Sequence, residues 1–287
     1  MRDDANNLSS KGISLQVTDI GIEQMKLLFL GTGSAMTIGT ENFHSNMLLI
    51  SETNETFMID CGSDARFSLH KQKLSHIDVN NVYISHLHAD HAGGLEWLAL
   101  ATKFDPRCTE KPNLFICETL ENDLWHKTLS GGLSTIQYEI AQLDTFFNVQ
   151  LVPVNGAFLW EGCEFKIVQT IHVMNGFSLM QSFGLLCKIE NLTIFITTDT
   201  QFFPNQMAPL YEMSDIIFHD CETSVSLSGV HAHYQQLISL PEKFKSKMWL
   251  YHYNPGTLPN AKVDGFRGFV TCGQVFDFNN PDTFLSK

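Results

Sequence analysis

Apolar positions along this chain fall into two kinds of run. Short β-rich runs bounded by turn residues predict buried strands, while apolar residues recurring every three to four positions predict helices. In the first half strands are expected at 25–30, 46–51, 56–60, 82–85 and 113–117, with helices at 64–73, 92–101 and 118–129. In the second half the expected strands are 149–153, 164–171, 183–189, 193–198, 215–219, 247–251 and 269–277, with helices near 205–211 and 231–240. Strands first, then strands alternating with helices, is a pattern stated twice, and it predicts a layered α/β fold. Residues 1–24 are polar and lack an apolar signal-peptide core, so they read as an N-terminal extension ahead of a single domain over 25–287. No run of about eighteen apolar residues occurs, so no membrane-spanning helix is expected.

The ends of these strands carry the chemistry. Asn81-Val-Tyr-Ile-Ser85 is a short buried strand, and Ala92 to Leu100 has helical spacing. Between them lies His86-Leu-His-Ala-Asp-His91, on a turn where a rigid sheet can present ligands. His172 follows the strand 164–171, Asp199 follows 193–198, and His252 follows 247–251. His86, His88, Asp90, His91, His172, Asp199 and His252 together are five imidazoles and two carboxylates, the ligand set of a two-metal hydrolytic centre. Such a centre ionises water at neutral pH and clamps a transferring phosphoryl or acyl group. His86 and His88, two apart, can reach one metal; Asp90 and His91, adjacent, diverge toward a second. Taken singly, His172 and His252 would read as partly buried histidines and Asp199 as a turn or helix cap. Their places after apolar strands are what add them to the set.

Charge and cysteines narrow the reading. The chain has 18 basic and 31 acidic residues, a formal charge of −13. A polymeric nucleic acid needs a basic track, so none is expected as partner. A small anion is compatible, because two divalent cations can hold it locally. Seven cysteines, an odd number without a Cys-x-x-Cys pair, read as free thiols in a reducing cytoplasm.

On Phe29-Leu-Gly-Thr-Gly-Ser-Ala35, Ile59-Asp-Cys-Gly62, the 86–91 run, His172, Asp199 and His252, the chain resembles the metallo-β-lactamase-fold hydrolases over about residues 25–256. The resemblance implies an αββα four-layer sandwich with metals at one edge. It implies His86, His88 and His172 on one metal, Asp90, His91 and His252 on the other, and Asp199 bridging. True β-lactamases place a cysteine near that bridging position, so β-lactam hydrolysis is disfavoured. Leu30-Gly-Thr-Gly-Ser-Ala35 is similar to the ribonuclease Z and cyclic-nucleotide phosphodiesterase branch. Ser228-Gly-Val-His-Ala-His-Tyr234 lies where that branch carries a His-centred motif; His231 is the better match for its catalytic histidine and His233 the alternative. Independently, cleaving a phosphodiester leaves an alkoxide, which a protonated imidazole neutralises as general acid. His219, Asp220 and Glu222 lie just upstream, and either carboxylate could orient His231.

Only 26 residues separate His172 from Asp199, which leaves no room for the long tRNA-grasping arm of the tRNA-processing members. Through Met25–Ala35, Asn42–Leu49, 86–98 and Lys247–Gly256 the chain is most similar to the phage and bacterial cyclic-nucleotide phosphodiesterases that degrade nucleotide second messengers, of which the phage members counter the cyclic-pyrimidine (Pycsar) immune signal. The expectation is a dinuclear phosphodiesterase converting 3′,5′-cyclic nucleotides to nucleoside monophosphates in the cytoplasm. Two divalent cations are its cofactors, zinc first and manganese as alternative. Asp90 accepts the water proton and His231 supplies the leaving-group proton. The resemblance further implies a homodimer whose loop shapes the partner's pocket. Phe202-Phe203 or Trp125 are candidates to stack a base or line that interface, against a plain core role for each. The competing readings are a ribonuclease Z-like endoribonuclease, a non-catalytic nucleotide sponge, and a lactonase or thioesterase.

Overall fold

Runs such as Leu27-Leu-Phe-Leu30 and Val82-Tyr-Ile84 are apolar at consecutive positions, so their strands must be covered on both faces. The computed structural model, which describes residues 25–285, achieves this with two large sheets packed face to face and helices outside each. The expected extension 1–24 lies outside the described residues. The strands are β1 (Lys26–Phe29), β2 (Met47–Ile50), β3 (Thr56–Ile59), β4 (Asn81–Ile84), β5 (Asn113–Cys117), β6 (Thr135–Ile136), β7 (Glu139–Ile140) and β8 (Asn148–Val152) in the first half. They continue as β9 (Ala157–Trp160), β10 (Cys163–Met174), β11 (Leu179–Ile189), β12 (Leu192–Ile196), β13 (Ile216–Asp220), β14 (Met248–Tyr251), β15 (Gly268–Phe269) and β16 (Val275–Asp277). One seven-stranded sheet has the order β16-β1-β2-β3-β4-β5-β8, the other β15-β14-β13-β12-β11-β10-β9, and β6-β7 is a small separate hairpin. This is the αββα sandwich of the metallo-β-lactamase fold.

Period-two alternation sorts the second sheet's side chains between two cores. Ile194, Ile196, Ile216 and Phe218 join the core that fills the space between the sheets. Phe195, Ile217, Met248 and Leu250 point the other way, into a second core under α7 (Pro204–Met213) and α8 (Tyr234–Leu237). The first sheet is covered by α1 (Ala65–Lys71), α2 (Ala89–Ala92), α3 (Leu95–Phe104) and α4 (Glu118–Asp123). From α4 the chain runs through a π-helical turn, Leu124–Leu129, into α5 (Ser130–Leu133), with α6 (Leu143–Phe146) beyond the β6-β7 hairpin. Between the sheets, the Tyr83 hydroxyl donates to the Phe183 carbonyl at 2.8 Å.

Both sheets turn parallel toward one end, β3-β4-β5-β8 in the first and β12-β13-β14-β15 in the second. Ligands in such sheets sit beyond the carboxyl ends of the strands, and both sets of ends face the same edge here.

Several sequence expectations are corrected. The run 269–277 is two strands, not one: β15 extends the second sheet, a turn at Gly273 (φ +83°) crosses over, and β16 closes the first sheet beside β1. Periodicity cannot see which sheet a residue joins. The expected helix 92–101 is split by Gly93-Gly94 into α2 and α3, so Asp90 and His91 are helical. The expected helix 231–240 begins only at Tyr234, because the His233 side chain caps it. The strand expected at 164–171 runs on to Met174 and contains His172. Strand β9 and the β6-β7 hairpin went unexpected, and β10 and β11 are a long hairpin rather than two short strands. Trp125 is buried in the core, and Phe202 packs half-buried against the second one, so the core reading holds for both. The seven cysteines are free, and Cys61, Cys117, Cys187 and Cys221 are buried. Among the described residues no helix is long and apolar enough to cross a membrane.

Candidate metal centre

The seven ligands expected from the sequence converge at this edge. His86 follows β4, Asp199 follows β12 and His252 follows β14. His172 is the exception, since it lies inside β10 at the one place where its register with β11 shifts, between Ile171 and Val173. An extra residue in a strand re-aims its side chain, and here it turns His172 into the cluster. Thr198 (φ +51°) and His252 (φ +62°) hold left-handed backbone conformations beside the centre. Such strain is costly for branched and ringed side chains and is kept where surroundings over-determine it.

Three groups of donors share Asp199. His86, His88, His172 and Asp199 form the first; Asp90, His91, Asp199 and His252 form the second; Asp220 and His231 join Asp199 and His252 in a third beside them. In the first, His88 Nδ1 lies 3.1 Å from both His86 Nε2 and His172 Nε2. Asp199 Oδ2 lies 3.5 Å from His86 Nε2 and from His172 Nε2. In the second, His91 Nε2 is 3.2 Å from Asp90 Oδ2 and 3.3 Å from Asp199 Oδ2. His252 Nε2 is 3.3 Å from Asp90 Oδ2 and 3.4 Å from Asp199 Oδ1.

These spacings fit a pair of divalent cations. Metal–nitrogen bonds of about 2.0–2.1 Å make the edge of a tetrahedron roughly 3.3 Å, the middle of the observed range. Buried His91 Nε2 and Asp199 Oδ1 have no hydrogen-bond partner, as atoms reserved for a metal would not. The charge balance agrees. Asp60, Asp90, Asp199 and Asp220 are buried together, and their ion pairs run to histidines. Carboxylates so desolvated need cations nearby. Burial, reinforced by the neighbouring His91, holds His86 well below its ordinary pKa, so its imidazole is neutral and ready to ligate.

The outer nitrogens are held as metal-ligating histidines require. His91 Nδ1 pairs with Asp60 Oδ2 at 2.7 Å. His86 Nδ1 meets Ser85 Oγ at 3.0 Å, and that hydroxyl donates to the same Asp60 oxygen at 2.8 Å. His172 Nδ1 donates to the Val230 carbonyl at 2.8 Å. Asp60 thus orients two ligands, a role the sequence reading missed. The signal available was an aspartate just after β3, one strand over from His86.

His231 stands beside the double cluster with its Nδ1 2.8 Å from Asp220 Oδ2. Burial disfavours its charged form, but Asp220 and then Asp199 outweigh burial and raise its pKa. It keeps 18% of its side chain exposed, against 1% or less for His86, His91, His172 and His252. Of the two carboxylates upstream, Asp220 is the one in contact with His231. Glu222 is taken by Ser224 Oγ and the Ser228 amide. His219 is buried on Tyr211, its Nε2 2.7 Å from the phenol. His233 faces away, with Nε2 2.9 Å from the Ser224 carbonyl.

A family profile described as "Anti-Pycsar protein Apyc1" matches residues 25–276. The chain belongs to this anti-Pycsar family. An anti-Pycsar protein Apyc1 of Paenibacillus harenae is 34% identical over 231 residues, covering 80% of this chain and 90% of the relative. One from Bacillus phage vB_BsuM-Goe3 is 33% identical over 244 residues, 81% of this chain and 90% of the relative. Among solved structures, the metallo-β-lactamase-fold protein YhfI of Bacillus subtilis superposes with a TM-score of 0.69 at 16% identity, covering 89% of this chain and 100% of that one. The anti-Pycsar family, the metallo-β-lactamase fold and a clustered His/Asp candidate metal site therefore meet in one molecule.

Proposed function

We propose that this centre hydrolyses 3′,5′-cyclic nucleotides, cCMP, cUMP, cAMP and cGMP, to nucleoside monophosphates, and so counters cyclic-nucleotide antiphage signalling. The observation that carries the reading is His231, partly exposed beside the double cluster and backed by Asp220. A phosphodiesterase needs a proton for its leaving alkoxide at that place, whereas thioester cleavage, which expels a stable thiolate, has less use for one. His86, His88 and His172 would hold one cation, Asp90, His91 and His252 the other, with Asp199 between. Zinc is the expected metal and manganese the alternative. When bound, the pair supplies an ionised water and neutralises charge on the phosphoryl oxygens. Asp90 takes up the water's proton. His231 delivers its proton to the departing ribose oxygen, and Asp220 holds the ring in line. The acidic balance of the chain, −13 overall, favours a small substrate over RNA.

The reading places the protein in the cytoplasm as a homodimer. Product analysis of the purified protein with a panel of cyclic nucleotides, with and without chelator, tests the reaction. Linear monophosphates that disappear on chelation are expected. Cleavage of a structured tRNA precursor instead, with cyclic nucleotides untouched, would favour the endoribonuclease; two metals per chain with no hydrolysis of either would favour the sponge. His88→Ala is expected to abolish turnover with the fold retained. His231→Ala is expected to slow turnover by about 10²–10⁴-fold while metal content stays at two per chain.

A further inference from the structure

One cavity is lined by residues next in the chain to members of the centre. It has a volume of about 300 Å³ and lies between α4 and the β10-β11 hairpin. Leu87 lines it from between His86 and His88, and Val173 lines it from the position after His172. The cleft is thus walled by the immediate chain neighbours of three of the residues assigned to one cation. Its other walls include Thr119 and Leu120 of α4 and Met180 and Gln181 of β11.

We infer that this cleft seats the base of the nucleotide whose phosphate lies at the metal centre. The inference rests on the cyclic-nucleotide reading above. A base is flat, with apolar faces and a polar rim, and sits one ribose away from the phosphorus. Leu87, Leu120, Val173 and Met180 suit the faces, and the volume lies at the small end of ligand pockets. The rim needs groups that donate and accept. Asp123 at the mouth is committed to Lys127 at 2.6 Å, and the Asn175 carbonyl oxygen receives the Phe177 and Ser178 amides. The Gln181 side-chain amide offers both a donor and an acceptor at the wall, which suits it, more than the single donor left on Asn175 or the Ser178 hydroxyl, to read the base edge.

The test compares cCMP with the same cyclic ribose phosphate bearing hydrogen in place of the base. The parent enzyme should prefer cCMP. Thr119→Trp, at an exposed position, fills the cleft without disturbing the core, and Gln181→Ala removes the reading group. Each should raise the KM for cCMP about tenfold with kcat changed less than about threefold, so that the preference over the abasic ring shrinks about tenfold. A Thr119→Trp variant with the parent's preference intact overturns the seat, as does a parent that treats both substrates alike. An unchanged preference in Gln181→Ala removes that residue from the role. A parent that cleaves neither compound refutes the cyclic-nucleotide reading itself, and the seat with it.

Discussion

At the scale of single residues, the centre depends as much on what stands behind the ligands as on the ligands. Asp60 holds His91 directly and His86 through Ser85. Asp60→Asn is expected to weaken zinc affinity about 10–100-fold, read by titration against a competing chelator. Affinity equal to the parent's would show that the two imidazoles hold their tautomers unaided. The ligands themselves were legible in the sequence, because His86 to His91 are close neighbours and the others follow apolar strands. The role of Asp60 was not, although it sits in the Ile59-Asp-Cys-Gly62 motif, because its partners are 25 and 31 positions away. The same limit left Asp220 and Glu222 undecided, since only side-chain direction separates them.

At the scale of elements, the His-rich run works because a loop and a one-turn helix approach very closely. A Cβ on Gly62 would stand 2.1 Å from the Asp90 carbonyl oxygen, inside any tolerable contact. Gly62→Ala must therefore push α2 away and carry Asp90 and His91 with it. We expect a loss of about 1–3 kcal/mol in stability together with lower metal content, measured by denaturant melts and metal analysis of one preparation. Unchanged metal content would mean that the two groups of ligands tolerate a shift of α2. The strand positions were mostly readable as short apolar runs. The ends were not, and the ends matter: His172 entered a strand through a register shift, and His231 fell outside the helix expected to contain it.

At the scale of the molecule, the two sheets are tied together by aromatic packing near the strand that closes the first one. Phe276 of β16 lies 5.8 Å from Phe29, 4.8 Å from Phe218 and 5.1 Å from Trp249, ring centre to ring centre. Phe276→Ala should cost about 3–5 kcal/mol, seen as a fall in Tm, since it empties a site shared by both sheets. A fall of less than about 1 kcal/mol would show that the sheets repack around the gap. Removing the metals should also lower Tm, because cations that bind only the folded chain stabilise it by mass action. Apolar periodicity and the local His-Asp run determined the layered α/β architecture and the chemistry of the centre, because both are properties of near neighbours. Tertiary structure alone decided which donors share Asp199, which carboxylate backs His231, and where β16 lies. Those outcomes depend on side-chain direction and on pairing between strands distant in sequence, and neither leaves a period in the chain.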